Sequence, residues 1–228
     1  MIKHLLLVWV VAVTAASAAT DANALLDAVK AKMDKVTTYK AVVGITVDVP
    51  FMKVPASEAT LYYKAPDKTA FQAKGFAMLP KQGADLTAAR LLRRPYAAVD
   101  AGTATFQGIA IRKVKVLPAE DDADIVVATL WIDPATNNIR KIESTMKKGG
   151  TVVAELVYGD ATSAAFGMPS YVKLMMDVGA FEIPKTMTGD FDRPKTEASK
   201  GPQKATVQLT YKSVEFNKSI PDNVFRQP

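Results

Sequence analysis

Cysteine is absent from this 228-residue chain, and its single histidine, His4, falls among the first eighteen residues. Those two absences strip most familiar reaction chemistry from everything beyond residue 18. They exclude a Ser-His-Asp triad, a cysteine nucleophile and a zinc site of the usual histidine and cysteine ligands. Carboxylate, lysine, tyrosine or oxygen-ligated metal chemistry is what survives. The fold must also hold without disulfides. Apolar runs of bilayer-spanning length, about 20 residues, are lacking. So is a dense charge of one sign: 29 basic residues against 23 acidic ones give a formal net charge of +6, spread along the chain. A nucleic-acid footprint would be concentrated. No phosphate loop, dinucleotide fingerprint or evident pair of catalytic carboxylates occurs.

The amino terminus carries a targeting signature. Lys3 and the free amine make a positive start, and residues 5–13 (Leu-Leu-Leu-Val-Trp-Val-Val-Ala-Val) form a short apolar run. Ala16-Ser17-Ala18 then supplies the small residues a signal peptidase requires. The expectation is a cleaved signal at 1–18 and one exported domain at 19–228. With no cysteine for lipid attachment, that domain is expected to be soluble and not lipid-anchored. Cleavage removes Lys3 and no acid, which leaves a net charge near +5.

The mature chain opens on a helical stripe. Leu25, Leu26, Val29, Met33 and Val36 recur at helical spacing over residues 21–38, and Asp21 or Asn23 could cap the start. The period then changes to two. Residues 41–49 place Ala41, Val43, Ile45, Val47 and Val49 on one face, and Ala59, Leu61 and Tyr63 continue the alternation. Pro66-Asp67 predicts a turn before a strand at 71–75. A short helix is expected over 84–94, ahead of Pro95. Strands are then predicted at 106–117, Ile125–Asp133, 139–146, 151–158, 171–178 and Lys204–Phe216, with a polar, lysine-rich loop at 184–203 and Phe225 as an apolar plug. Hairpins dominate, and no linker or internal repeat divides them. The sum is an α+β domain: a single antiparallel sheet of roughly nine to eleven strands, which must curl at that size. An N-terminal helix and a short inserted helix are left to cover its concave face.

Four groups could carry function. Glu120-Asp121-Asp122-Ala123-Asp124 is the one acidic cluster; it lacks the spacing of a calcium loop and reads as a solvated turn. Arg90, Arg93 and Arg94 sit on or beside the short helix, where they could meet lipid phosphates or an acidic partner, or simply solvent. Met168, Met175, Met176 and Met187 gather near Phe166, Tyr171 and Phe181, as a cavity lining or as core filling. Tyr62, Tyr63 and Phe71 could rim a pocket or pack across strands.

Three stretches resemble a known family. They are residues 59–68 (Ala-Thr-Leu-Tyr-Tyr-Lys-Ala-Pro-Asp-Lys), residues 130–141 beginning Leu130-Trp131-Ile132-Asp133-Pro134, and residues 214–225 ending Ser219-Ile220-Pro221-Asp222-Asn223-Val224-Phe225. With a signal and a helix ahead of them, they resemble the LolA/LolB-like outer-membrane lipoprotein carriers. That resemblance implies an incomplete, strongly curved barrel closed by helices over an apolar cavity. Members carry an arginine just before the proline of the Lys64-Ala65-Pro66 segment, which helps govern cavity opening; here Ala65 stands there. The resemblance implies a periplasmic carrier, without chemistry, cofactor or metal, that holds a lipid or the acyl chains of a lipid-modified protein. Its expected cavity lining is Val43, Ile45, Val47, Leu61, Tyr63, Leu130, Ile132, Leu156, Leu174 and Met176. Arg90, Arg93 and Arg94 are the candidates for a headgroup or for a membrane-bound donor or acceptor protein. A monomer is expected. The alternative is a periplasmic sensor or protein-interaction module on the same fold.

Overall fold

A computed structural model describes residues 21–49, 52–73, 88–119, 124–147, 150–177 and 204–226. The expected signal, the acidic cluster apart from Asp124, the 184–203 loop, Phe181 and Met187 lie outside them.

Helix α1 spans Ala22–Met33, and the Asp21 side chain caps it by accepting from the Asn23 amide. It ends sooner than the 21–38 stripe suggested, because Asp34 caps it and the chain turns through Val36 into a strand. Eleven strands follow: β1 (Thr38–Val49), β2 (Met52–Lys53), β3 (Ser57–Lys64), β4 (Lys68–Ala73), β5 (Tyr96–Phe106), β6 (Ile109–Pro118), β7 (Ile125–Asp133), β8 (Asn138–Met146), β9 (Thr151–Val157), β10 (Tyr171–Asp177) and β11 (Lys204–Phe216). Helix α2 (Ala88–Arg93) precedes β5, helix α3 (Ala161–Ala165) joins β9 to β10, and a 3-10 turn (Asp222–Phe225) ends the fold.

The strands form one antiparallel sheet in the order β4-β3-β1-β11-β10-β9-β8-β7-β6-β5, with β2 paired to β1. Because β4 and β5 end the order without meeting, the sheet is open and curved, not a closed barrel. The chain's first and last long strands, β1 and β11, are neighbours, third and fourth from the β4 edge. Asn217 secures that junction: its Oδ1 accepts from the Thr37 amide and hydroxyl, and its Nδ2 donates to the Lys35 carbonyl. Asn217 sits at a positive φ of 55°, a conformation asparagine tolerates better than most residues. Nearby, Lys64 pairs with Asp222 of the 3-10 turn at 2.7 Å, and that turn packs against β4 with Phe225 half-buried.

One expectation is corrected. A single strand over 106–117 does not form, since Gln107 and Gly108, both at positive φ, turn the chain between β5 and β6. The β5 strand, Tyr96–Phe106, was not anticipated. Its alternation is weak (Ala97, Ala98, Ala101 and Gly102 are small), and a bulge between Asp100 and Thr103 breaks its register. Helix α3 was also missed. It is five residues long, and its stability comes from Asp160, whose carboxylate accepts from the Thr162 and Ser163 amides.

Directly paired residues across a sheet share a face. Val47, Val207, Leu174, Ala154, Ile142, Leu130 and Val114 therefore make one continuous apolar row from β1 to β6. All are buried, and Val114, Leu130 and Val207 completely so. Leu25, Leu26 and Val29 of α1, with Leu92 of α2, join the same hydrophobic cluster. The helices thus cover one face of the sheet, and the core lies between them and it.

Candidate functional site

The ten residues expected to line an apolar cavity all fall on that helix-covered face. Val43, Ile45 and Val47 alternate along β1; Leu61 and Tyr63 pair with Ala41 and Tyr39; Leu156 pairs with Val172 and through it with Leu209 and Ile45. Leu130, Ile132, Leu174 and Met176 complete the set. Eight are buried, whereas Leu61 and Leu156 are half-buried at its margin. The register makes this a strong statement, because a one-residue slip in any strand would send its whole set to the other side. Of the methionines, Met176 belongs to this face, whereas Met175 takes the opposite one and Met168 is half-buried beside α3.

At one end of the face Tyr39 and Tyr63 stack, their ring centroids 5.2 Å apart. Burial pushes the Tyr39 phenol well above its ordinary range, and pushes that of Tyr211 up to about 12. Tyr63 donates its hydroxyl to the Pro66 carbonyl, in the turn between β3 and β4. Arg93, at the end of α2, donates to the same carbonyl and lays its guanidinium 5.3 Å from the Tyr63 ring centroid. Arg93 therefore fastens the short helix to the rim. Arg94 is half-buried, and Arg90 lies in α2. Tyr62 points to the opposite face from Tyr63, and Phe71 pairs with Leu61 on the covered one.

At another end, α1 is tied to the β7–β8 turn. Lys32 donates to the Thr136 carbonyl and to Asn138 Oδ1, at 2.8 and 2.5 Å. Burial lowers the Lys32 ammonium below its ordinary value, against the opposing pull of Asp133. Asp133 is itself buried. It accepts from the Ala135 amide, the Thr136 hydroxyl and Arg140, the last at 3.1 Å. Burial alone would raise its carboxyl, yet the hydrogen bonds from Thr136, Arg140 and Ala135 hold it below the usual carboxylate range. Arg140 also stacks on Tyr158, 5.2 Å from the ring centroid. These residues build a hairpin-to-helix lock. Sequence reasoning saw the Asp133-Pro134 turn but not that α1 is fastened to it, because the Lys32–Asn138 contact spans 106 residues.

Among the described residues no three histidine, cysteine, aspartate or glutamate side chains converge on a metal-sized site, and no helix is long and apolar enough to cross a membrane. The site offers apolar area bounded by fastened helices.

Comparison with known proteins gives a consistent picture of the fold. No protein-family model matches the sequence, and no curated protein matches it. Solved structures do match. An outer membrane lipoprotein-sorting protein domain from Vibrio parahaemolyticus superimposes with a TM-score of 0.59 at 11% identity, over 89% of this chain and 94% of that one. A LolA superfamily protein from Nitrosomonas europaea gives 0.59 at 10% identity, over 89% and 97%. A DUF1329 family protein from Desulfovibrio piger gives 0.53 at 11%, over 90% and 97%. At such identities the likeness is one of fold. The open, helix-covered sheet of this chain is similar in fold to those solved structures, as the resemblance of residues 59–68, 130–141 and 214–225 implied.

Proposed function

We propose that this protein is a periplasmic carrier that binds a lipid, or the acyl chains of a lipid-modified protein, against the helix-covered face and hands it on unchanged. The observation that carries this reading is the unbroken apolar row from Val47 to Val114, on a sheet left open at β4 and β5 and covered by short helices. Moving acyl chains through water costs about 0.8 kcal/mol per methylene, so a chain of about fourteen carbons faces a barrier on the order of 10 kcal/mol. A carrier lowers it by presenting matching apolar area, and must keep that area covered when empty. Helices α1 and α2 supply the cover, and the polar contacts that fasten them at Lys32 and Arg93 can be exchanged for water, which suits a cover that opens.

The fold likeness to a lipoprotein-sorting domain supports the reading, as does the expected export signal. The absence of cysteine and of histidine beyond the signal agrees with binding in place of catalysis. Donor and acceptor would be membrane-bound proteins or the membranes themselves. Native mass spectrometry of protein extracted gently from its host should show bound lipid. A preparation that is always empty, and that takes up no fluorescent fatty acid, contradicts the proposal.

A further inference from the structure

The covered face is apolar almost throughout, with a conspicuous exception near the β5 edge. Among the residues that direct strand pairing places on that face, Arg112 is the only cation. It pairs with Ile132 on β7 and with Thr103 on β5. Ile132 is completely buried, so a guanidinium emerges beside the apolar row. Its partner is Asp100, on the same face opposite Val114. The two side chains are unequally sheltered: Arg112 keeps 16% of its side chain exposed and Asp100 keeps 41%. Arg112 Nε is buried and meets no acceptor among the described residues. Arg140 Nε shares that condition, but its guanidinium is wedged between Asp133 and Tyr158 in the hairpin lock.

A charge on an apolar face is costly unless paired, and a single exposed aspartate leaves part of the guanidinium's donor fork unused. The arrangement matches the polar end of an amphiphile: apolar area for the chain, and at its solvent boundary one cation held by an exchangeable carboxylate. We propose that Arg112 is the headgroup anchor of the lipid site and selects amphiphiles ending in a carboxylate or a phosphate, with Asp100 occupying the anion's place when no ligand is bound. The proposal rests on the carrier reading.

The test is equilibrium binding of three sixteen-carbon probes, palmitate, hexadecyl phosphate and hexadecanol, to the full mature protein. Wild type should bind the two anions at least about fivefold more tightly than the alcohol, and the better of the two names the headgroup. Arg112→Gln should lose about tenfold for the anions and keep its affinity for hexadecanol. Asp100→Asn should bind the anions several-fold more tightly, since the competing carboxylate is gone. If Arg112→Gln fails to fold, Arg112→Lys replaces it and should give an intermediate loss, because the charge stays and the fork is removed. Anion affinity unchanged in Arg112→Gln, or weakened in Asp100→Asn, overturns the anchor while leaving the carrier intact. Failure of wild type to bind any of the three overturns the carrier reading and the anchor with it.

Discussion

The two faces of the sheet are built from the same strands and differ by one residue in register. On the covered face the row from β1 to β6 reads Val47, Val207, Leu174, Ala154, Ile142, Leu130 and Val114. One step along, on the opposite face, it reads Thr46, Gln208, Lys173, Glu155, Lys141, Trp131 and Lys113. The first is uniformly apolar. The second alternates charge around a single aromatic centre. Trp131 donates its indole N–H to Glu143, and Lys141 lies 4.6 Å and Lys113 5.4 Å from its ring centroid. Phe106 meets the same ring edge-on at 6.0 Å. The outer face is thus ordered by neighbours on adjacent strands and needs no covering layer. Apart from the Tyr39–Tyr63 stack and the Arg112–Asp100 pair, the inner face is aliphatic along this row, so its order depends on what lies over it. A sheet that needed only to be stable could close its apolar face on itself; this one leaves it to short helices.

The contrast can be broken at matched positions. Leu130→Ala, on the covered face, should cost about 2–5 kcal/mol of unfolding free energy. Trp131→Ala, the adjacent residue on the outer face, should cost only about 1–2 kcal/mol, since cation–aromatic contacts near water are worth about 0.5–1 kcal/mol each. Urea denaturation compares them directly, and an equal or reversed order would sink the two-face account. Next in size, Asn217→Ala should cost about 0.5–1.5 kcal/mol by removing its exposed hydrogen bonds to the Thr37 amide and the Lys35 carbonyl. It should also weaken the β1–β11 junction, which hydrogen exchange at Thr38 and Tyr39 would report.

A smaller effect concerns acid. The Asp133 carboxyl is held low, so its contribution is complete above the ordinary carboxylate range, near pH 4, and is lost as the pH falls through its lower folded value. Asp133→Asn should therefore flatten the stability profile below about pH 4; an acid limb identical to wild type would contradict the lock. The smallest effect should come from the exposed Lys212–Glu58 pair, 2.6 Å apart with both side chains more than half exposed. Removing it through Lys212→Ala should change stability by at most about 1 kcal/mol, and less in high salt.

Period and turn chemistry made most of the architecture legible from the chain alone. The limits of β7 and β11, and the clean alternation of β1 and β10, follow from side chains that state their face residue by residue. The Asp133-Pro134 turn announced itself in the same way, whereas the helix cap, open to Asp21 or Asn23 in the sequence, is Asp21. What escaped was either short or non-local. Strand β5 carries small residues and a bulge, and α3 is a single turn held by one carboxylate. For the apolar residues of the candidate site, alternation gave two faces to each strand, and only the pairing register joins them across strands. The polar fastenings were not readable. Lys32 to Asn138, Arg93 to Pro66 and Arg112 beside Ile132 are contacts of topology, and a list of residues does not reveal them.

The most direct test asks which face a lipid touches. A photoactivatable fatty acid, crosslinked to the mature protein and mapped by peptide mass spectrometry, should mark the covered face at residues such as Leu130, Leu174 and Met176. Labelling confined to the outer face, around Trp131, Lys141 and Lys173, would contradict the account, as would no saturable labelling at all.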